Sequence, residues 1–346
     1  MIKGHGDDAY LYHCPVAVNF SSNVYHNMDL SRLKQHLAQR MELIGRYPEP
    51  EPYELEARLA HLHRLLPAEV CVTNGATESI YLIAQAFRES LSAILQPTFS
   101  EYADACRMHG HRVISLYQLP DERSGYRLPE EVQLLWLCNP NNPTGQVVEK
   151  KLLCRLLEQN PKVLFVIDQS YEYFTLTPLF SAEEATSYPH LLLLHSMTKR
   201  YAIPGLRLGY ATGNARMLER LRSQRMPWSV NQLAIEAGRY LLEREDEMDV
   251  LAYLSESQRL RQSLIQTGMV EVWETKTHFM LACLRIGRAS ALKEYLLKEH
   301  GLLIRDASNF SGLDERYFRI AAQNPEDNDR LVEAILTFAE SAAHSL

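Results

Sequence analysis

Short continuous apolar runs alternate with longer amphipathic stretches through the middle of the chain. The runs that we predict to be strands are followed by polar residues, and they lie at 69–73, 92–95, 134–138, 163–167 and 191–194. Continuous apolar runs of this length are typical of strands buried on both faces, as in a mostly parallel sheet covered by helices. A buried helix is the alternative for each run taken alone. Because the runs alternate with helical stretches, the pattern favours the α/β class.

The pattern changes near residue 226. A long helical stretch at 231–255 comes first, and the remaining predicted elements are strands at 269–273, 279–285, 301–305 and 317–321 and helices at 289–300 and 324–343. This succession predicts a smaller α+β domain. We therefore expect a large domain over residues 25–226 and a small domain made of residues 1–24 and 227–346.

The composition excludes several classes of protein. The chain has 346 residues, with 36 Lys and Arg against 43 Asp and Glu, and the net charge of −7 argues against a nucleic-acid-binding protein. None of the six cysteines is in a CxxC pair, which favours free thiols in a reducing compartment over disulfides or a zinc site. No segment approaches the roughly 18–20 apolar residues of a membrane span, and residues 1–25 lack the apolar core of a secretion signal. We expect a cytoplasmic protein with no metal site and no membrane partner.

Polar clusters follow the predicted strands at their carboxyl ends. The clusters are Asn74 to Thr77, Asn139 to Gly145, Asp168 with Tyr171, and Ser196 to Lys199. Such residues are ordinary in loops after strands, which is the alternative for each cluster alone. Because open α/β sheets bind ligands outside the carboxyl ends of their strands, the clusters together predict one crevice.

The residue types in these clusters point to a particular ligand chemistry. Gly75, Ala76 and Thr77 open a predicted helix, where free N–H groups and the helix dipole bind anions. An aspartate that ends an apolar strand, as Asp168 does, needs a cationic partner such as a protonated heterocyclic nitrogen. A lysine in the same position, Lys199, has its pKa lowered by desolvation and becomes a nucleophile.

One cofactor meets all of these requirements. Pyridoxal phosphate has an aldehyde for a lysine, a pyridine nitrogen for an aspartate, a phenolic oxygen for tyrosine and asparagine, and a phosphate. Arg207, with Ser196 and Thr198, is placed where it can bind that phosphate. The sequence therefore predicts a cofactor site for pyridoxal phosphate.

Three motifs resemble those of the aspartate-aminotransferase-like family of pyridoxal-phosphate enzymes, the class I and II aminotransferases of fold type I. They are NPNNPTG at 139–145, the D-x-x-Y of Asp168 and Tyr171, and the S-x-T-K that ends at Lys199 and is followed by Arg207. The resemblance covers essentially the whole chain. It implies a mostly parallel seven-stranded central sheet in the large domain, beside the smaller α+β domain.

The resemblance also implies a role for each matching residue. Lys199 is expected to bind the cofactor aldehyde, Asp168 to pair with the ring nitrogen, and Tyr102 to stack on the ring. Tyr171 and Asn142 are expected to bind the phenolic oxygen. Arg319, in RYFRIAA, matches the arginine that binds the substrate's α-carboxylate. The implied phosphate ligands are Gly75, Ala76, Thr77, Ser196, Thr198 and Arg207.

One further segment resembles a narrower branch of the family. Arg46-Tyr47-Pro48 followed by EPEPYELEARLA is similar to a segment of the histidinol-phosphate aminotransferases and their close relatives. In that branch the tyrosine reaches the cofactor phosphate of the partner subunit. The resemblance therefore implies a homodimer with shared active sites, in which Tyr47 binds the partner's cofactor.

Three other segments are similar to the L-threonine-O-3-phosphate decarboxylases of cobalamin biosynthesis. They are GHGD at 4–7, MPWSVN at 226–231 and the stretch from Ile304 to Arg319. The resemblance implies that His5, Gly6 and Arg305 lie near a substrate phosphate, and that Asn23 and Asn142 line the substrate pocket. Asn23 as the cap of a turn is the alternative.

Two positions depart from this pattern. Asp7 replaces the second glycine of an HGG segment, and Gln323 stands where some relatives carry an arginine. Both departures weaken the expectation of a phosphate-bearing substrate and leave the expectation of the cofactor unchanged.

Three hypotheses of function remain open from the sequence. The first is decarboxylation of L-threonine O-3-phosphate to (R)-1-amino-2-propanol O-2-phosphate. The second is an aminotransferase of the histidinol-phosphate type that uses 2-oxoglutarate. The third, a non-catalytic regulator on this fold, is disfavoured by the intact Lys199. The first two differ in which bond of the α-carbon stands perpendicular to the cofactor ring, and sequence does not fix that angle.

Overall fold

The structure is a computed structural model and describes residues 7–12, 14–244 and 248–343. Its strands are, in chain order, β1 Val18–Asn19, β2 Val70–Thr73, β3 Leu91–Leu95, β4 Arg112–Leu116, β5 Leu134–Cys138, β6 Leu164–Asp168, β7 Leu191–Ser196, β8 Gly209–Gly213, β9 Val270–Val272, β10 Phe279–Leu284, β11 Leu302–Leu303, β12 Arg305–Asp306 and β13 Tyr317–Ala321. Its α-helices are α1 Ser31–Gln39, α2 Tyr53–His63, α3 Ala76–Ala86, α4 Glu101–Met108, α5 Lys150–Gln159, α6 Ala182–Thr186, α7 Met197–Arg200, α8 Ala215–Arg222, α9 Gln232–Leu242, α10 Val250–Gln266, α11 Ala289–His300 and α12 Pro325–Ala343. Short 3-10 helices lie at Ala9–Leu11, Met41–Gly45, Pro67–Glu69, Glu122–Ser124, Glu172–Phe174 and Pro204–Leu206.

Seven strands form the central sheet, in the order β2-β8-β7-β6-β5-β3-β4. β3 to β7 pair in parallel, whereas β8 pairs antiparallel with both β7 and β2. The expected α/β fold with a mostly parallel seven-stranded sheet is confirmed. The chain passes from β3 outward to β4 and returns to β5 on the other side of β3. The loops after β3 and β5 therefore diverge, which opens a crevice at the carboxyl edge of the sheet.

Alternate residues of the central strands pack on opposite faces of the sheet. Trp136 of β5 packs in a cluster with side chains of α3 and α4, whereas Leu135 and Leu137 pack with α5 on the other face. All three side chains are almost completely buried. Burial of one large apolar side chain stabilises a fold by about 1.5–3 kcal/mol. A shift of β5 would remove such side chains from their packing on both faces, so this packing stabilises the observed register.

A second, four-stranded sheet has the order β12-β13-β10-β9, and its pairs are antiparallel. β1 pairs in parallel with β11 and so joins the start of the described chain to this C-terminal part. Helix α9 packs with α1 and α2 against β2 and β8, on the side of the large sheet. The domain boundary near residue 226 stays a prediction.

Several predicted elements are wrong in detail. The helical stretch 231–255 is two helices, because the side chain of Asp249 caps a new helix by accepting a hydrogen bond from Ala252 N (2.9 Å). The strand 301–305 is two short strands that pair with different partners, β11 with β1 and β12 with β13. The apolar pattern does not predict β4 and β8, because β4 is a partly exposed edge strand and β8 begins and ends with glycine.

Helix length and hydropathy within the described part of the chain provide no candidate for a membrane-spanning helix. The six cysteines are free thiols, and four of them are buried. In the same described ranges, no group of three or more His, Cys, Asp or Glu side chains is arranged to hold a metal ion.

Candidate active site

A crevice of about 280 Å³ lies at the carboxyl ends of β5, β6 and β7. These strands are neighbours, and their register places Cys138 opposite Asp168 and Asp168 opposite Leu194. The polar clusters that follow the strands therefore meet at one edge, as the sequence analysis expects. Residues of the predicted site that line the crevice are Asn23, Ala76, Thr77, Tyr102, Asn142, Asp168, Tyr171, Ser196, Thr198, Lys199, Arg207 and Arg319.

Lys199 lies in the short helix α7, directly after β7, and its side chain enters the crevice. Burial lowers the pKa of its amine to about 8, and the guanidinium groups of Arg319 and Arg207 contribute to the same shift. The carboxylates of Asp7 and Asp168 oppose the shift. An amine with this pKa is partly neutral at physiological pH and can attack a carbonyl carbon.

Asp168 is the last residue of β6 and is almost completely buried. Its Oδ2 accepts a hydrogen bond from Tyr102 Oη (2.7 Å) and its Oδ1 accepts one from Ser170 N (2.8 Å). Burial and the neighbouring Asp168 carboxylate raise the pKa of Tyr102 well above its ordinary value, so this hydroxyl is a firm donor. The carboxylate is thus held in one orientation and remains an acceptor for a cation in the crevice.

Tyr171 and Asn23 form the wall next to Asp168. Asn23 Nδ2 donates a hydrogen bond to Tyr171 Oη (3.3 Å), and the Tyr171 ring packs edge-on against Phe279 at 4.8 Å between centroids. Burial raises the pKa of Tyr171, while the charge of Arg319 opposes that shift. Tyr171 is therefore protonated at neutral pH and can donate its hydroxyl proton into the crevice.

Arg319 lies on β13 and closes the crevice toward the smaller sheet. Its Nη1 donates to Asn142 Oδ1 (2.6 Å) and its Nη2 donates to the carbonyl oxygen of Ser21. The Nε atom is buried and has no hydrogen-bond partner among the described residues. Burial lowers the pKa of Arg319 to about 10, which still leaves the guanidinium charged at neutral pH.

Arg305 stands directly opposite Arg319, because β12 and β13 pair antiparallel with these two residues in register. Its Nη2 donates to Asn309 Oδ1 (2.8 Å), and its guanidinium lies 5.5 Å from the centre of the Phe310 ring. Burial lowers the pKa of Arg305, and the Asp8 carboxylate opposes the shift. Two adjacent buried guanidinium groups favour binding of an anion, or of two anionic groups of one molecule.

The N-terminus of α3 forms the other end of the crevice. Gly75 caps this helix with a φ of 76°, and a Cβ atom at this position would lie 2.6 Å from Arg207 Nη2. A Cβ atom on Gly209 would lie 2.4 Å from Ala76 N. The two glycines therefore allow β8 and Arg207 to approach the first N–H groups of α3 closely, which concentrates anion-binding donors there.

Hydroxyl groups complete this end of the crevice. Ser196 Oγ and Thr198 Oγ1 are 2.7 Å apart, and Thr77 follows in the first turn of α3. Arg207 Nη1 donates to the carbonyl oxygen of Pro204 (3.0 Å), which holds the side chain in place. Backbone N–H groups, hydroxyls and a guanidinium together form a set of donors that suits a phosphate group.

The donor set fits pyridoxal phosphate. Phosphate donors stand at one end, an amine with a lowered pKa lies between, and a fixed carboxylate faces the same space. Buried polar atoms at the opposite wall have no partner within the described ranges, namely Asn23 Oδ1 and Arg319 Nε. The role of each individual residue toward the cofactor stays a prediction.

Some residues of the predicted site are not among those that line the crevice. Arg305 lines a small adjoining pocket together with Asn142 and Arg319. Tyr47 does not line the crevice of its own chain, is 87% exposed and packs 5.7 Å from the Trp228 ring. Its predicted place in a partner's site stays a prediction. His5 and Gly6 lie outside the described residues.

Sequence reasoning missed a layer of residues behind the crevice wall. His278 is completely buried, and its ring lies 4.0 Å from that of Phe174 and 6.4 Å from that of Tyr171. No motif surrounds it in the sequence; the one signal is a histidine placed immediately before an apolar strand. Ser21, which the sequence did not indicate, also lines the crevice. Asp7, the residue that departs from the HGG pattern, lines it too, and its Oδ1 accepts a hydrogen bond from Asn19 Nδ2 (2.6 Å).

Comparison with known proteins agrees with this geometry. The sequence model of the family described as "Aminotransferase class I and II" matches residues 15–335. The chain is 31% identical to the threonine-phosphate decarboxylase of Salmonella typhimurium, over 92% of this chain and 90% of that one. It is 30% identical to a histidinol-phosphate aminotransferase of a Thermoanaerobacter species, over 84% of this chain and 83% of that one. The crystal structure of L-threonine-O-3-phosphate decarboxylase from Porphyromonas gingivalis is similar with a TM-score of 0.89 and 38% identity, over 93% of this chain and 99% of that one.

Proposed function

This chain belongs to the class I and II aminotransferase family of pyridoxal-phosphate-dependent enzymes, and from that membership we propose that it decarboxylates L-threonine O-3-phosphate. The product would be (R)-1-amino-2-propanol O-2-phosphate, an intermediate of cobalamin biosynthesis. The observation that carries the proposal is the pair of buried guanidinium groups, Arg305 and Arg319, side by side on β12 and β13. A substrate with one carboxylate and one phosphate suits such a pair.

The arrangement suggests how the substrate is oriented. Arg319 binds the α-carboxylate and Arg305 binds the phosphate at the far end of the substrate. Because both groups are held, the substrate has little freedom to rotate about its α-carbon, so the direction of its carboxylate is set by the protein. The aromatic ring of Phe310 lies 5.5 Å from the guanidinium of Arg305, at the end of the substrate that would carry the phosphate.

Pyridoxal phosphate, when bound, supplies an electron sink for the bond that breaks at the α-carbon. Asp168, held by Tyr102 and by the N–H of Ser170, would pair with the ring nitrogen and keep it protonated. Arg319, which binds the carboxylate, would direct its loss from the α-carbon as carbon dioxide. Lys199, whose pKa is about 8, delivers the proton that takes its place on the α-carbon.

The experiment is direct. Purified enzyme loaded with pyridoxal phosphate is incubated with L-threonine O-3-phosphate without any 2-oxo acid, and carbon dioxide and amine product are measured in equal amounts. Borohydride reduction and peptide mapping should place the cofactor on Lys199. Absence of carbon dioxide from a loaded enzyme would overturn the proposed reaction.

An aminotransferase of the histidinol-phosphate type is the second candidate, favoured by the 30% identity to such an enzyme over most of both chains. It would need space for an imidazole ring where the decarboxylase needs space for a methyl group. Transfer of the amino group from histidinol phosphate to 2-oxoglutarate, with no release of carbon dioxide, would establish this function instead.

We also propose a cytoplasmic homodimer with shared active sites. Free buried thiols support a reducing compartment. The exposed rings of Tyr47 and Trp228 lie 5.7 Å apart, and Trp228 N donates to Pro50 O (2.9 Å). Met226, two residues before Trp228, is also exposed, and such apolar exposure supports an interface. Tyr47 would reach the phosphate of the partner's cofactor.

Complementation tests the shared site. Lys199→Ala and Tyr47→Ala subunits are co-expressed with different tags and the mixed dimers are isolated. If Tyr47 acts in the partner's site, one site of each mixed dimer has both native residues and recovers wild-type activity per site. Activity no higher than that of the Tyr47→Ala homodimer would show that the sites are not shared.

A further inference from the structure

His278 is a buried titratable residue with no part in the chemistry described so far. It precedes β10 and lies between aromatic rings, with 4.0 Å to the Phe174 centroid and 5.1 Å to the Tyr253 centroid. Burial lowers its pKa to about 3, so the imidazole is neutral throughout the physiological range. Its location behind the crevice wall makes its hydrogen bonding relevant to the site.

The hydrogen bonds of this histidine identify its tautomer. Nε2 lies 3.2 Å from the carbonyl oxygen of Asn23. A carbonyl oxygen only accepts, so Nε2 carries the hydrogen and Nδ1 does not. Nδ1 is buried and has no partner in the described part of the chain. A buried polar atom without a partner is unfavourable, so burying Nδ1 costs stability. The hydrogen bond from Nε2 to Asn23 is therefore the favourable polar contact that the imidazole makes here.

The aromatic layer that holds His278 is itself anchored. Tyr253 Oη donates to the carbonyl oxygen of Ala322 (3.0 Å), so it must accept from His26 Nδ1, which is 3.1 Å away. Tyr253 is therefore fixed by two hydrogen bonds, and its ring forms one side of the slot that contains His278. The imidazole has little freedom to turn away from Asn23.

Asn23 connects this layer to the crevice. Its backbone oxygen accepts from His278, and its Nδ2 donates to Tyr171 Oη (3.3 Å). With one lone pair of Oη engaged by this donor, the hydroxyl proton of Tyr171 is directed away from Asn23 and into the crevice. The position of Asn23 thus controls the direction in which Tyr171 donates.

We propose that His278 is a positioning residue, which fixes Asn23 so that Tyr171 presents its hydroxyl proton to the phenolic oxygen of the cofactor. The inference rests on the proposed function, with Tyr171 in the role that the family resemblance implies, as a ligand of the phenolic oxygen. His278 itself touches neither substrate nor cofactor. Its effect should be seen in the bound cofactor before any substrate is added.

The experiment uses the enzyme loaded with pyridoxal phosphate and three substitutions of one residue. His278→Gln places an amide N–H near the position of Nε2 and retains a donor to Asn23. His278→Phe retains the flat ring without a donor, and His278→Asn has a donor that is too short to reach. His111 provides the matched control, since it is also buried and its Nε2 is 2.8 Å from a backbone oxygen, that of Ala84, outside the crevice. The control variants are His111→Gln and His111→Phe.

Two readouts need no substrate. One is the Kd for pyridoxal phosphate, and the other is the pH midpoint of the visible absorbance of the bound cofactor. A donor to the phenolic oxygen stabilises its negative charge, so a misdirected Tyr171 makes that oxygen more basic and moves the midpoint to higher pH. The titratable and charged groups around His278 and Tyr171 are the same in every variant, and they are His26, Cys138, Asp168, Lys199 and Arg319.

We expect His278→Phe and His278→Asn to weaken cofactor binding about tenfold and to raise the midpoint by about half a pH unit, and His278→Gln to stay near wild type. In a Tyr171→Phe background, His278→Phe should cause no further shift, because its effect passes through the missing hydroxyl. The His111 variants should change neither readout.

Other outcomes overturn the inference. If His278→Phe lowers the melting temperature and leaves the pH midpoint unchanged, His278 has a purely structural role. The same conclusion follows if His278→Phe shifts the midpoint equally in the wild-type and Tyr171→Phe backgrounds. If His278→Phe does not fold, equal midpoints for His278→Gln and His278→Asn would reject it. Failure to decarboxylate threonine phosphate leaves both readouts intact, so that result would remove the proposed reaction and not this inference.

Discussion

Gly75→Ala is the substitution whose consequence the structure specifies best. The Cβ atom that it introduces would lie 2.6 Å from Arg207 Nη2 and 3.2 Å from Arg207 Cζ. Real Cβ atoms do not approach other heavy atoms this closely, so the guanidinium must leave its place at the N-terminus of α3. We therefore expect Gly75→Ala to remove Arg207 from the phosphate end of the crevice without any change in charge.

The magnitude follows from the contact that is lost. A hydrogen bond to a charged group contributes about 1.5–3 kcal/mol, and about 1.4 kcal/mol corresponds to a tenfold change in binding. The Kd for pyridoxal phosphate should therefore rise by about 10- to 100-fold. The φ of 76° adds strain of about 1–3 kcal/mol to any residue other than glycine, which lowers the stability of the fold as well.

Gly268→Ala separates these two effects. Gly268 has a φ of 70°, and a Cβ atom there would have no heavy atom within 4 Å. It introduces left-handed backbone strain without a steric contact. Cofactor titration by absorbance and urea unfolding of the apoprotein are measured for both variants. We expect both to lose stability and only Gly75→Ala to lose affinity for the cofactor; equal cofactor affinities would refute the assignment of Arg207 to the phosphate.

Three further predictions concern charged residues. In the apoprotein, Lys199→Met should be more stable than wild type at pH 7 and should lose that advantage as the pH rises from about 8 to 10.5. The reason is that the lysine pKa is about 8 in the folded state and 10.5 in the unfolded state. Urea unfolding midpoints across this range test the prediction, and a difference between the two proteins that does not change with pH would contradict it. Arg305→Gln should raise the KM for threonine phosphate at least about tenfold and leave the Kd for the cofactor unchanged. Arg316→Gln, at an exposed arginine, should change neither value. Equal kinetics for the two variants would reject the binding of the substrate phosphate by Arg305. Asp168→Asn should retain bound cofactor and lower kcat by about 100-fold or more, measured at saturating cofactor, and an unaltered kcat would remove Asp168 from the chemistry.

Much of the fold and of the cofactor site could be predicted because the information is local. An apolar run followed by a lysine or an aspartate predicts a buried strand with a reactive group at its end, as at Lys199 and Asp168. The parallel pairing of β5, β6 and β7 then brings those ends together without further information. Elements that lack an apolar pattern, such as β8, were not predicted. Gly209 of β8 is a glycine because a Cβ atom there would collide with the backbone of Ala76, and no feature of β8 itself indicates this contact.

The sequence by itself determined the α/β class, the order of the reactive residues along the chain and the chemistry of the cofactor, since each depends on residue type and near neighbours. Only the tertiary structure decided that Arg305 and Arg319 stand in register, and that His278 contacts an asparagine 255 residues away. Such pairs are set by strand register and by side-chain packing, which depend on the whole chain at once. Tyr47 is exposed in a single chain. For the same reason, its contact with an active site would be formed only with a second copy of the protein, in the proposed dimer.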